Sequence, residues 1–182
     1  PQIAGAWTLG NRKEFERKVT VVLRSNFVIG FPLYLGLSAM SRQILEFLFS
    51  GRQQEVTVSA TSLFILGLGG VFLTLSSTFI SIFQVIGRSV LPVKRMLPGC
   101  AVKLIFNVFT ISVPAINING AAVSTVIMYA AVALGGYFAL ENVTGIDFHI
   151  IRRMAVPLSA GIVCAVVSRI VYGFVRESVN AV

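Results

Sequence analysis

The stretch VSATSLFILGLGGVFLTLSSTFISIFQVIGR, residues 58–88, decides the fold class. From Val58 to Ile86 it contains no charged residue. As a helix rising about 1.5 Å per residue it outreaches the ~30 Å hydrocarbon core of a bilayer. A surface helix of a soluble protein would set an apolar stripe against a charged face, whereas this run has no charged face. It therefore reads as a membrane span, long enough to tilt or to extend beyond the bilayer. Working outward, similar blocks recur between short polar stretches. Ser25–Phe49 has Pro32 and Gly36 as points of bending, Met96–Val113 is stopped by Pro114, and Gly120–Leu140 and Met154–Val175 follow. The expected fold is all-α, a polytopic bundle of about five transmembrane helices. Short loops predict that consecutive helices pack as antiparallel neighbours.

Composition supports this reading. Hydrophobic residues make up 55% of the chain and charged residues 12%, against about 25% charged in soluble domains. The mean hydropathy is +0.85. A net charge of +8 could point to nucleic acid, but the cations gather at the ends of apolar blocks and form no basic face with interleaved aromatics. That pattern excludes nucleic acid and predicts anionic membrane lipids as partners. Cys100 and Cys164 lack metal-ligand spacing and read as small buried hydrophobes. With one histidine, His149, there is no nucleophile–base constellation, and the sequence predicts no enzyme, no metal and no cofactor.

The N-terminal segment differs. Asn11 and Glu14 form a capping pattern, and Phe15, Val19, Val22 and Leu23 share a helical face amid Arg12, Lys13, Arg17, Lys18 and Arg24. The expectation is an interfacial helix lying on the membrane, with a charged loop as the alternative. Pro1–Trp7 lacks a signal-peptide pattern and reads as the end of an earlier helix. The chain then divides into 1–24, a preceding helix end plus the interfacial helix; 25–140, four spans; and 141–182, a cytoplasmic loop and an additional span.

Lysine and arginine counts set the orientation. With the N-terminal segment in the cytoplasm, that side holds Arg12, Lys13, Arg17, Lys18, Arg24, Arg88, Lys94, Arg95, Lys103, Arg152 and Arg153, and the other side holds Arg42, Arg52, Arg169 and Arg176. This distribution obeys the positive-inside rule, and the inverted one breaks it.

Polar residues at membrane depth must face protein or water. Thr74, Ser77, Thr78 and Ser81 share one face of the 58–86 helix with Gln84 at its edge, and Lys103, Asn107, Thr110 and Pro114 form a second stripe. Both stripes could line an aqueous cavity, or the hydroxyls could bond backbone carbonyls and join helices. Gln84, Lys103 and Asn107 are costlier to hide and favour the cavity, with Lys103 at the cytoplasmic start of its helix and Arg88 nearby. Arg42 and Glu46, spaced i,i+4 near an outer helix end, are an outer gate pair or a snorkelling interfacial pair. Gly67, Gly69, Gly70, Gly135 and Gly136 permit close helix approach or bending.

The segments GFPLYLGLSAMSRQILEFLFSG (30–51), IFQVIGR (82–88) and LPVKRMLPGCAVKLIFNVFTISVPAINING (91–120) resemble the C-terminal lobe of the multidrug/oligosaccharidyl-lipid/polysaccharide flippase superfamily. The closest likeness is to the stage V sporulation protein B and polysaccharide biosynthesis branch. The resemblance covers Pro1 to about Tyr137 and rests on Gln84, Gly87, Pro92, Lys103, Asn107, Pro114 and Asn119–Ala122. It implies two lobes around a central cavity that opens alternately to each membrane face, with an N-terminal lobe missing from this chain. It also implies export of a lipid-linked saccharide, a polysaccharide or peptidoglycan precursor, across a bacterial plasma membrane. An anionic pyrophosphate headgroup would suit Lys103, Asn107, Gln84, Ser77, Ser81 and Arg88. The alternatives are a cation-coupled multidrug antiporter, which needs membrane-embedded acids, and a non-transporting scaffold in envelope or spore assembly.

The orientation is testable. Single cysteines at Gln53 and Asn117 should be labelled from outside intact cells, and one at Ser89 should be protected; labelling of Ser89 from outside would invert the topology.

Overall fold

The computed structural model describes residues 2–49, 51–88, 90–111 and 117–180. These form helices α1 (Gln2–Thr8), α2 (Arg12–Ala39), α3 (Ser41–Leu48), α4 (Gln53–Val85), α5 (Val90–Ile111), α6 (Asn117–Thr144) and α7 (Ile150–Asn180). The protein is an all-α, polytopic membrane bundle. Among the described residues four helices, α2, α4, α6 and α7, are long and apolar enough to cross a membrane. The fifth expected span, Met96–Val113, ends outside the described residues, and the described helix α5 in its place begins earlier, so that it also takes in Lys94 and Arg95 beside Lys103.

The cap at Asn11 forms as its sequence predicts. Its Oδ1 accepts the Glu14 backbone N–H at 3.2 Å, and Glu14 in turn pairs with Lys18 at 2.6 Å. The helix it opens does not stop at Arg24, however. In place of an interfacial helix and a separate span, one helix runs from Arg12 to Ala39. The reason is the i,i+4 row Phe15, Val19, Leu23, Phe27 and Phe31, every member buried, which continues across the expected boundary. Phe27 and Phe31 stack at 5.1 Å between ring centroids. At about 1.5 Å per residue such a helix is longer than the ~30 Å core, so its charged first turns project at the interface. Pro32 does not interrupt the helix; the break comes at Met40.

Packing order also departs from sequence order. In space the helices follow α7–α2–α4–α6–α5. The main partners of α4 are α6 and α2, and α7 lies on α2 rather than on α6. Glycines let α4 fit between its two neighbours. A Cβ built on Gly67 would stand 2.7–2.8 Å from the Cβ, Cα and N of Ser38, and one on Gly30 would stand 2.6 Å from Thr74 Oγ1. On the other side, Gly69 meets Val126 and Gly136 meets Phe79. The sequence alone could not separate packing from hinging at these glycines; the contacts show packing.

Cys100 and Cys164 correct another expectation. Both are free and exposed on helix surfaces rather than buried.

Two glycine substitutions in membrane helices should behave oppositely. Gly67→Val meets Ser38 backbone that cannot rotate away, so it should destabilise by roughly 1–3 kcal/mol. Gly36→Ala, with nothing within 4 Å of its Cβ position, should be neutral or stabilise by up to about 1 kcal/mol. Thermal unfolding in detergent reads both.

Candidate functional site

The expected polar stripe on α4 divides into two parts. Thr74 and Thr78 are buried and turn toward α2. Their hydroxyls donate to the Gly70 and Thr74 carbonyls at 2.9 and 2.7 Å, and Thr78 Oγ1 also accepts from Asn26 Nδ2 at 3.0 Å. Ser77 and Ser81 are exposed, with hydroxyls donated to the Thr74 and Ser77 carbonyls at 3.0 and 2.9 Å. Gln84 is exposed too, and spacings of four and three place Ser77, Ser81 and Gln84 on one face; Arg88, also exposed, lies just beyond the helix end at Val85, after Gly87 with φ +75°. For Thr74 and Thr78 the packing reading is right; Ser77, Ser81 and Gln84 remain exposed on the flank of α4, with Arg88 beyond its end.

Where that flank lies follows from the contacts on either side of it. Gly67, Gly70, Thr74 and Thr78 face α2, and Ser62, Gly69 and Ser76 face α6. The polar flank lies between the two sets. Pro92 of α5 approaches α4 beside Ile80, a surface neighbour of Ser77 and Gln84, so α5 borders the same side.

On α5 the half-buried positions Lys103 and Asn107 share with Gly99 the face that packs on α6. Ser124 Oγ lies 2.6 Å from Asn107 Oδ1. A Cβ on Gly99 would lie 3.2 Å from Val132. These two contacts bracket Lys103 and fix its depth between the levels of Ser124 and Val132. It is not at the start of its helix: α5 begins at Val90, about 20 Å earlier along the axis. Lys103 is therefore a mid-bundle cation and does not belong with the end charges that set the orientation. Among the described residues no acid lies within ion-pair distance of it. Thr110 donates to the Phe106 carbonyl at 2.8 Å, and Pro114 falls outside the described residues.

Arg42 and Glu46 do pair, Nε to Oε1 at 2.8 Å, on α3. Arg42 also borders a recess of about 260 Å³ with Ser41, Thr57, Thr61 and Phe64, at the end of the bundle where α4 begins. Glu46 is thus already satisfied. Among the described residues no group of acids, histidines or cysteines could hold a metal ion.

Several interhelical polar contacts were not anticipated. Ser76 donates to the Tyr129 carbonyl at 3.1 Å, Ser62 to Asn119 Oδ1 at 2.8 Å and Ser38 to the Phe64 carbonyl at 2.9 Å. One signal was present in the sequence: Ser62, Gly69 and Ser76 are small residues seven apart, and all three face α6.

Against known proteins, the profile of the family described as Lipid II flippase MurJ matches residues 1–180. An uncharacterized membrane protein of Methanocaldococcus jannaschii is 30% identical over 129 residues, which is 71% of this chain and 24% of that protein. The lipid II flippase MurJ of Bacillus subtilis is 22% identical over 156 residues, 86% of this chain and 28% of that protein. The chain thus spans about a quarter of the length of these curated relatives. No solved structure matches.

In the full-length protein, cysteines replacing Ser77 and Ser81 should react with membrane-impermeant thiol reagents, whereas those at Ser76 and at Leu68, exposed on the opposite flank, should not. Equal reactivity at Leu68 would show that the polar flank is no wetter than the rest of the surface.

Proposed function

The chain belongs to the lipid II flippase MurJ family, and from that premise we propose that it forms part of a flippase for a lipid-linked saccharide precursor. Flippases of this family are transporters rather than enzymes. On this reading the chain is the C-terminal lobe of a two-lobe, alternating-access protein in a bacterial plasma membrane, with its basic end in the cytoplasm. The polar flank of α4, with Ser77, Ser81 and Gln84, and Arg88 just beyond its end, faces a central cavity shared with an N-terminal lobe.

The observation that carries this reading is Lys103. A lysine at the centre of a membrane-spanning helix costs about 2.5–3.5 kcal/mol on insertion scales, and Lys103, at mid-bundle level on α5, has no acid partner among the described residues. Such a charge is retained where water or an anion meets it. A lipid pyrophosphate is that anion: a compact ammonium pairs with phosphate without needing bidentate geometry. Asn107, one turn on, adds an amide beside it. The likeness to the stage V sporulation protein B branch makes a polysaccharide precursor the second substrate within this proposal. A cation-coupled antiporter is less well supported, because Glu46, the intramembrane acid available to bind a cation, is occupied by Arg42.

In the full-length protein reconstituted with lipid-linked saccharide, Lys103→Ala should lower flipping by at least about tenfold, the scale of one lost charge-assisted contact. Lys103→Arg should retain part of the rate, with membrane levels unchanged in both. Transport by Lys103→Ala at the parental rate would remove this lysine from the mechanism, and a scaffold would be equally indifferent to both changes.

A further inference from the structure

Between α5 and α6 we propose a positioning role for Ser124: it holds the Asn107 amide oxygen, so that Asn107 and Lys103 present only hydrogen-bond donors to the phosphate of a lipid headgroup. This deepens the flippase reading and rests on it for the lipid.

Ser124 is 1% exposed. Its Oγ lies 2.6 Å from Asn107 Oδ1 and 2.9 Å from the Ala121 carbonyl. A hydroxyl has one proton to give, and the shorter contact is the one between helices. A separation of 2.6 Å is ordinary for O–H···O and short for N–H···O, so the amide meets the serine with its oxygen. An asparagine without such a partner can turn either end of its amide toward a ligand. Ser124 fixes Oδ1 toward itself and Nδ2 away. Nδ2 is not buried, and among the described residues it has no hydrogen-bond partner.

Lys103 lies one turn before Asn107 on the same face, which sets their Cβ atoms about 5–6 Å apart. It too is half-buried and has no acid partner among the described residues. Its ammonium carries donors and no acceptor. The α5 sequence contains no acid, and Glu141, the acid of α6, lies seventeen residues beyond Ser124, about 25 Å along the axis. A hard cation needs oxygen ligands, and the one side-chain oxygen of this pair is taken by Ser124. A phosphate brings negative charge and several acceptor oxygens, which a set of donors complements.

The test measures binding of geranylgeranyl pyrophosphate to the full-length protein in detergent, relative to the uncharged geranylgeraniol. The ratio of the two affinities reads headgroup preference and cancels effects on the prenyl chain. Ser124→Ala should lower this preference by about tenfold, the scale of one charge-assisted hydrogen bond. Asn107→Asp keeps an acceptor for Ser124 but turns an oxygen outward, and should lower it at least as far. In an Asn107→Ala background Ser124→Ala should have no further effect, because no amide is left to orient. Ser76→Ala removes another interhelical bond, to the Tyr129 carbonyl, and should leave the preference at its parental value. A preference unchanged by Ser124→Ala, lowered equally by Ser76→Ala, or lowered further in the Asn107→Ala background would overturn the proposal. Displacement by inorganic pyrophosphate as readily as by the prenyl pyrophosphate would make the ligand a free anion and overturn the lipid assignment. The transport reading fails separately: a Ser124-dependent preference in a protein that does not flip lipid-linked saccharide would keep this site and remove that function.

Discussion

At Gly67 the backbone of α4 comes so close to α2 that a single methyl group would stand 2.8 Å from the Ser38 backbone. In water such proximity would be one packing detail among many. In lipid, where the solvent is as apolar as leucine, helices gain little by hiding side chains from it, and dispersion across close backbones becomes a principal source of cohesion. Gly30 and Gly67 provide that approach to α2, and Gly69 and Gly136 provide it to α6. The remaining helices attach to this three-helix centre, α7 through α2 and α5 through α6.

Each close interface also carries a polar contact. Asn26 to Thr78 and Ser38 to the Phe64 carbonyl join α2 to α4; Ser62 to Asn119 and Ser76 to the Tyr129 carbonyl join α4 to α6; Asn107 and Ser124 join α5 to α6. Each is worth about 0.6 kcal/mol on average in a membrane, so together they set register more than total stability. A one-residue slip along α4 would strand four of these groups in a medium that offers no replacement partner.

Because α4 is held on two sides, its two remaining flanks differ in character. One bears the exposed Ser77, Ser81 and Gln84; the other bears Phe72 and the buried Leu75 and Phe79. A helix surrounded only by lipid has no physical reason to keep the first set, and one surrounded only by water would not tolerate the second. Under the function proposed above, this asymmetry would set α4 between a polar compartment and hydrocarbon.

Several features were determined by the sequence itself: the uncharged run at 58–86 dictates a membrane span, Asn11 with Glu14 dictates a helix start, and Arg42 with Glu46 dictates a pair one turn apart. All three are local, fixed by hydropathy or by helical spacing within a single element. The Phe15–Phe31 row was equally local, but a change from charged to apolar flanks hid its continuity across Arg24. Only the tertiary structure decided which helices touch, because short loops limit how far apart two helices can be without dictating their partners. It sent Thr74 and Thr78 into α2 and left Ser77 and Ser81 free, although hydroxyls on one helical arc look alike until a neighbour covers part of it. It also placed Lys103 at mid-depth, since the start of α5 is set by the turn after Ile86 and its alignment by Gly99 and Asn107 against α6. Depth in a membrane is a property of the packed bundle, and a single helix does not carry it.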